Sequence, residues 1–149
     1  MNHVLLLVED NPTDEKLTIR AFKKAAVTTE IVVVRDGAEA LDYLFATGKF
    51  GQRDASVLPA VVMLDLKLPR IDGLEVLRRI RANARTATLP VVILTASKET
   101  EDVALGYALG ANAYVRKPVD YAEFSEAAQT LGLFWLLLNE PPPERRVAS

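Results

Sequence analysis

The chain has 149 residues, and its 18 Lys+Arg set against 20 Asp+Glu leave a formal net charge of −2, which fits one domain and offers no basic surface for nucleic acid. With no Cys, disulfides, thiolate nucleophiles and thiolate-bound zinc are excluded, so the chemistry must rest on oxygen and nitrogen groups. The apolar runs Val4 to Val8 and Leu131 to Leu138 are well short of the ~20 residues of a membrane span, and no signal peptide is evident; the chain reads as cytoplasmic.

A first strand is expected over His3 to Val8. Asn11-Pro12 then supplies a favoured N-cap followed by a residue favoured at the first helical position, opening a helix from Pro12 to about Ala26 with Leu17, Ala21, Phe22 and Ala25 at helical spacing. Ile31 to Val34 reads as a second strand, and Asp36-Gly37 as a turn capping a helix over Ala38 to Ala46. Thr47 to Pro59 is polar and reads as a surface loop. A third strand, Ala60 to Leu64, delivers Asp65, and Asp72-Gly73 opens a helix carrying Leu74, Leu77, Ile80 and Arg81. Strand four covers Val91 to Leu94, a helix runs from about Glu99 to Leu109, strand five spans Ala113 to Arg116, and a last helix begins near Asp120. Five alternating βα units must cross over right-handedly, which predicts an α/β fold: a doubly wound, five-stranded parallel sheet of the flavodoxin-like kind. Residues 1–138 form the expected domain, and 139–149, with Pro141-Pro142-Pro143, an expected mobile tail.

The apolar strands end on residues that handle phosphate or metal: Glu9 and Asp10, then Asp65, then Thr95, then Lys117. In parallel sheets ligands sit beyond the carboxyl ends of the strands, so these residues are expected to share one crevice. Hard oxygen donors from Glu9, Asp10 and Asp65 suit Mg²⁺, which takes one or two carboxylates, waters and a phosphate. Asp65 stands alone at its strand end and is the natural nucleophile for an aspartyl phosphate, with Lys117 and Thr95 placed to meet phosphoryl oxygens.

These residues make the chain resemble the receiver domains of two-component response regulators, the class that includes the chemotaxis regulator. The likeness is carried by VLLLVEDNP, VVMLDLKLPRIDG, VVILTAS and AYVRKP. It implies a phosphorelay protein in which Asp65 takes a phosphoryl group from a histidine kinase, and Mg²⁺ is bound by Glu9, Asp10, Asp65 and the Lys67 backbone carbonyl. It also implies a cis peptide at Lys117-Pro118 and a switch in which Thr95 turns toward the phosphoryl group and Tyr114 moves inward. Lys67 and Ser97 occupy positions that tune acyl-phosphate lifetime in the family. More narrowly, VEDNPTDEKLTIRAF, VRDGAEALDYL and GLFWLLLNEPPP are similar to regulators serving bacterial phytochromes, which implies a light-sensing kinase as partner.

Bland readings compete at several positions. Asp36 and Asp72 read as turn and cap residues, and the run Arg78-Arg79, Arg81 and Arg85 reads as a solvated helix face. His3, the sole histidine, starts the strand that Glu9 ends, roughly 20 Å away at ~3.3 Å per residue, and is set aside as a phosphodonor. The main rival function is a Mg²⁺-dependent phosphatase or phosphotransferase with an Asp nucleophile, but such enzymes usually place a general-acid Asp two residues later, where this chain has Lys67. A nucleotide carrier of flavodoxin type lacks support because no Gly-rich phosphate loop follows the first strand. In the last helix Tyr121, Phe124, Ala128, Leu131, Trp135 and Leu138 form one stripe, while Leu133, Phe134, Leu136 and Leu137 make its second half apolar nearly all round. A helix buried on more than one side is expected, and with it a homodimer through this helix together with helix four and strand five.

Overall fold

The computed structural model describes residues 4–25, 29–140 and 142–143. Five strands, β1 (Val4–Val8), β2 (Glu30–Val34), β3 (Val61–Leu64), β4 (Val91–Thr95) and β5 (Ala113–Arg116), pair in parallel in the order β2-β1-β3-β4-β5. Between them run α1 (Pro12–Lys24), α2 (Gly37–Phe45), α3 (Gly73–Ala82) and α4 (Thr100–Ala108), and α5 (Tyr121–Leu133) follows β5. Both ends expected of α1 and β1 reach beyond what is described: His3 and Ala26 lie outside the described residues, as do Pro141 and 144–149 of the expected tail.

Alternation along the strands divides the core in two. Leu5, Leu7, Val61, Met63 and Val92 pack with Leu17, Ala21 and Phe22 of α1 and with Phe124 and Ala128 of α5. Leu6, Val8, Val62, Leu64, Val91 and Ile93 pack on the other face with Leu41 and Leu44 of α2 and Val76, Leu77 and Ile80 of α3. Strands buried on both faces are why β3 and β4 read as unbroken apolar runs rather than as alternations. The chain leaves β1 for β2 at one edge and then crosses back over β1 to form β3. That reversal of direction opens a crevice beyond the ends of β1 and β3, where Glu9, Asp10 and Asp65 lie.

The caps follow the sequence closely. Asn11 accepts from the amides of Thr13 and Asp14, Asp36 from that of Glu39, and Asp72 from that of Glu75. Gly73 is required by close approach, because a Cβ there would lie 2.2 Å from the carbonyl oxygen of Asp65. The start of α3 is thereby pressed against the backbone that carries the central carboxylate.

One expectation gains detail and two need correction. The loop Thr47 to Pro59 contains a 3₁₀ turn, Gly48–Phe50, and is pinned by Arg53, whose guanidinium donates to the carbonyls of Tyr43 and Val57 and stacks 3.8 Å over the Tyr43 ring. Arg81 is not part of a solvated face: its half-buried guanidinium donates to Gly110 O (2.9 Å), Leu89 O (2.7 Å) and Asn112 Oδ1 (3.0 Å), tying α3 to the ends of two loops. The stripe on the last helix is also displaced. After Leu133 the backbone widens into a π-helical stretch, Phe134–Leu138, closed by a bond from the Asn139 amide to Phe134 O. Each residue then turns through a smaller angle than in an α-helix, so Leu136 swings inward (8% exposed) and Leu138 outward (75%). Tyr121, in the first turn, is 58% exposed. Leu133, Phe134 and Leu137 are exposed as well, so this part of the chain leaves an apolar surface uncovered.

Candidate functional site

Each strand hands its site residue over with the sheet pairing still intact. The amide of Glu9 bonds to Val34 O, that of Asp65 to Val8 O and that of Lys117 to Thr95 O. The side chains therefore issue from a rigid rim. Together with the first turn of α1 they surround a cleft lined by Asp10, Asn11, Pro12, Asp14, Asp65, Lys67, Thr95, Ala96 and Lys117.

At its floor lies a charge cluster. The Lys117 ammonium donates to Glu9 Oε1 (2.5 Å), Asp14 Oδ2 (2.9 Å) and Asp65 Oδ2 (2.9 Å). Thr95 Oγ1, fully buried, donates to Asp65 Oδ1 at 2.7 Å, so both oxygens of Asp65 are engaged. Glu9, Asp65 and Lys117 are 2%, 7% and 8% exposed, which no isolated charge at these positions could tolerate. Burial pushes the Glu9 carboxyl up to about 7 against the opposing pull of Lys117. Burial acts on Asp65 in the same direction, but there the charge and hydrogen bond of Lys117, with the bond from Thr95, outweigh it and hold the carboxyl below its ordinary value. Lys117 is disfavoured by burial yet held above the usual ammonium range by Glu9 and Asp65. Asp65 is thus kept as an anion under a fixed ammonium, the state a carboxylate nucleophile needs.

Glu9, Asp10 and Asp65 each bring a carboxylate oxygen within 4.8 Å of the others. Three hard oxygen donors, with Asp10 exposed at the rim, fit a small divalent cation that keeps part of its water shell. Lys67 lines the same cleft, and its amide lies 3.3 Å from Asp65 Oδ1. The sequence-identified set of Glu9, Asp10, Asp65, Lys67, Thr95 and Lys117 is therefore brought together in one place.

Tyr114, on β5, stands to one side. Its ring packs on the core beside α4, and its hydroxyl donates to the Ser97 carbonyl at 3.0 Å. Gly106 of α4 faces that ring: a Cβ there would come 3.3 Å from Tyr114 Cδ2 and 2.8 Å from Ile93 Cδ1. Tyr114 thus links the loop after Thr95 to the underside of α4. No described peptide bond is cis, so Lys117-Pro118 is trans, against the expectation from the resemblance; trans is the intrinsically favoured form of an X-Pro bond, and Lys117 meets its three carboxylates in it.

Two contributors were not singled out from sequence. Asp14 is a helix-first-turn residue of a common kind, and only its distance to Lys117, 103 positions away, reveals it. Asp102 of α4 accepts from Ser97 Oγ (2.5 Å) and lies 3.8 Å from Lys67 Nζ.

Comparison with known proteins agrees with this geometry. The curated protein Response regulator Rcp1 of Synechocystis sp. is 35% identical over 133 residues, covering 89% of this chain and 88% of its own length. A crystal structure of the Mn²⁺-bound form of Rcp1 superposes with a TM-score of 0.88 at 33% identity, over 95% of this chain and 99% of that one. The phosphorylated cyanobacterial phytochrome response regulator RcpA gives a TM-score of 0.89 at 33% identity, covering 96% and 100%. The bacteriophytochrome response regulator AtBRR is 51% identical, with a TM-score of 0.74 over 94% and 99% of the two chains. Residues 5–129 match the profile described as the response regulator receiver domain, and the chain belongs to that family.

Proposed function

We propose that this receiver domain accepts a phosphoryl group on Asp65 from the phosphohistidine of a kinase and, in doing so, changes a protein-binding surface. The observation that carries the reading is the arrangement around Asp65: a buried carboxylate held anionic, with Lys117 on one oxygen and Thr95 on the other. One carboxylate oxygen of Asp65 attacks phosphorus, the bond from phosphorus to the donor breaks, and the donor leaves with the bonding pair. Mg²⁺, held by Glu9, Asp10, Asp65 and the Lys67 carbonyl, supplies neutralisation of the phosphoryl charge when bound. Lys117 and Thr95 then contact phosphoryl oxygens. The chemistry ends there, with phosphotransfer to self and hydrolysis of the acyl phosphate, so the chain is a signalling protein of the cytoplasm rather than an enzyme with an external substrate.

The resemblance to AtBRR, a bacteriophytochrome response regulator, and to RcpA, a cyanobacterial phytochrome response regulator, supports a phytochrome-type histidine kinase as the donor. Tyr114, joined to the Ser97 carbonyl and seated beneath α4, is the switch residue that carries the change outward. The output surface is the exposed apolar end of the last helix, Leu133, Phe134, Leu137 and Leu138, with Leu105 and Tyr107 of α4 and the adjoining β5, and it pairs two copies of the chain. Receptor and output are then separate regions of one domain.

The test is intact mass after incubation with Mg²⁺ and acetyl phosphate. A gain of one phosphoryl group in the native chain, absent in Asp65→Asn, supports the reading. Steady release of phosphate from small esters with no modified protein would instead support the phosphatase alternative.

A further inference from the structure

Lys117 must serve the phosphoryl group, yet its ammonium has three hydrogens and three carboxylates already take them. An arriving phosphoryl oxygen can gain a hydrogen bond from Lys117 only as one of those contacts is released. Glu9 is 2% exposed, so water cannot replace the ammonium there, while the Asp65 contact passes to the phosphoryl group as the acyl phosphate forms and the carboxylate loses its own charge; a further phosphoryl oxygen can be met only at the expense of Asp14. Asp14 differs: its side chain is 24% exposed, it stands at the lip of the cleft on the first turn of α1, and water can replace the ammonium there. Among the described residues that carboxylate has no other hydrogen-bond or ion-pair partner. The cap of α1 is provided by Asn11, and the bond from Thr18 Oγ1 goes to the backbone carbonyl of Asp14, not to its side chain.

We propose that Asp14 is a positioning residue that holds the Lys117 ammonium toward α1 in the unmodified protein and competes with the phosphoryl group for it. While Asp14 keeps its share of the ammonium the phosphoryl group receives less of it, so Asp14 tempers how readily the domain is modified. The proposal rests on the reading of Asp65 as phosphoacceptor. In that step, with acetyl phosphate as donor, an Asp65 oxygen bonds to phosphorus, the phosphorus–oxygen bond to the acetyl group breaks, and acetate departs; no proton changes hands.

The experiment uses the full chain with Mg²⁺ and two probes, beryllium fluoride as a mimic of the bound phosphoryl group and acetyl phosphate as donor. Asp14→Asn and Asp14→Ala should each bind beryllium fluoride about threefold to tenfold more tightly, followed by NMR at the Thr95 amide, and should be modified faster by a similar factor. Asp14→Glu, which restores the charge, should return both toward the native values. The gain should also persist at about 1 M salt, where the Debye length is near 3 Å, because the competing contact is a direct one. Equal affinity in native and Asp14→Asn chains overturns the proposal, and so does a gain that vanishes in high salt, which would mark a diffuse field effect. If the native chain neither binds beryllium fluoride nor gains a phosphoryl group, it is the phosphoacceptor reading that fails.

Discussion

Replacing Arg81 by Ala removes a guanidinium that joins three segments of chain. Its acceptors are the carbonyls of Gly110, Leu89 and Thr86 and the side-chain oxygen of Asn112, the last of which also accepts from the Val91 amide at the start of β4. Leu89 and Thr86 are buried, so water cannot easily replace the lost donor at those carbonyls, whereas Gly110 and Asn112 are open enough to be resolvated. Leaving a buried acceptor unpaired costs ~1–3 kcal/mol, and the bond to Thr86 is long at 3.3 Å. Most of the loss therefore comes from Leu89, with lesser parts from the others and from the packed side-chain stem, giving about 3 kcal/mol. For a domain of this size that corresponds to a fall in Tm of roughly 6–12 °C. Urea unfolding should show a lower midpoint at unchanged slope. Arg81→Lys should recover only part of the loss, since an ammonium cannot fork to acceptors in three directions. Arg79→Ala, which removes a solvated pair with Glu75, should change stability by less than about 0.5 kcal/mol. An Arg81→Ala variant as stable as the native chain would refute the assignment of Arg81 as an internal tie.

Other outcomes follow from the same geometry. Gly73→Ala places a Cβ 2.2 Å from Asp65 O; it should cost about 3 kcal/mol in urea unfolding and slow modification of Asp65 by acetyl phosphate. Tyr114→Phe removes the bond to the Ser97 carbonyl and should cost about 1 kcal/mol, with the loss larger in Tyr114→Ala, which also empties the contact against Gly106. Glu75, paired with Arg78 and Arg79, has its carboxyl lowered from 4.5 to about 2. A depressed acid contributes stability that is present above 4.5 and lost as pH falls toward 2, so the stability gap between native chain and Glu75→Gln should narrow across that window and also in high salt. A Phe134→Glu, Leu137→Glu double variant should keep its fold, since both side chains are exposed, and should run as a monomer by light scattering, whereas the native chain is expected to run as a dimer. Identical masses would remove the last helix as the pairing surface.

Much of the fold was legible because local and global signals agree. Asn11-Pro12, Asp36-Gly37 and Asp72-Gly73 announce helix starts by chemistry that acts within four residues, and all three act as caps. The site was legible for a related reason: its members sit at the ends of strands or just beyond them, and a parallel sheet gathers strand ends. Asp14, Asp102 and Arg81 were not, because each belongs to a helix whose surface charges are common and whose partner is fixed only by tertiary placement. The displaced stripe after Leu133 shows another limit. Periodicity assumes a constant turn per residue, and a π-helical stretch changes it with no local marker in Phe134-Trp135-Leu136-Leu137-Leu138.

The glycine at position 106 gives α4 an unusual footing. It is the one buried residue of that helix, and Glu99, which precedes the first turn, makes no side-chain cap. A helix with a single buried residue forfeits little apolar burial when it tilts or slides, so α4 is expected to move at small cost. On the proposed reading, a signal leaving Asp65 would not have to force a stiff element; it would need only to bias a weakly seated one. Amide exchange should reveal this as opening of α4 well below the global unfolding free energy while α3 stays protected, and equal protection of the two helices would contradict it.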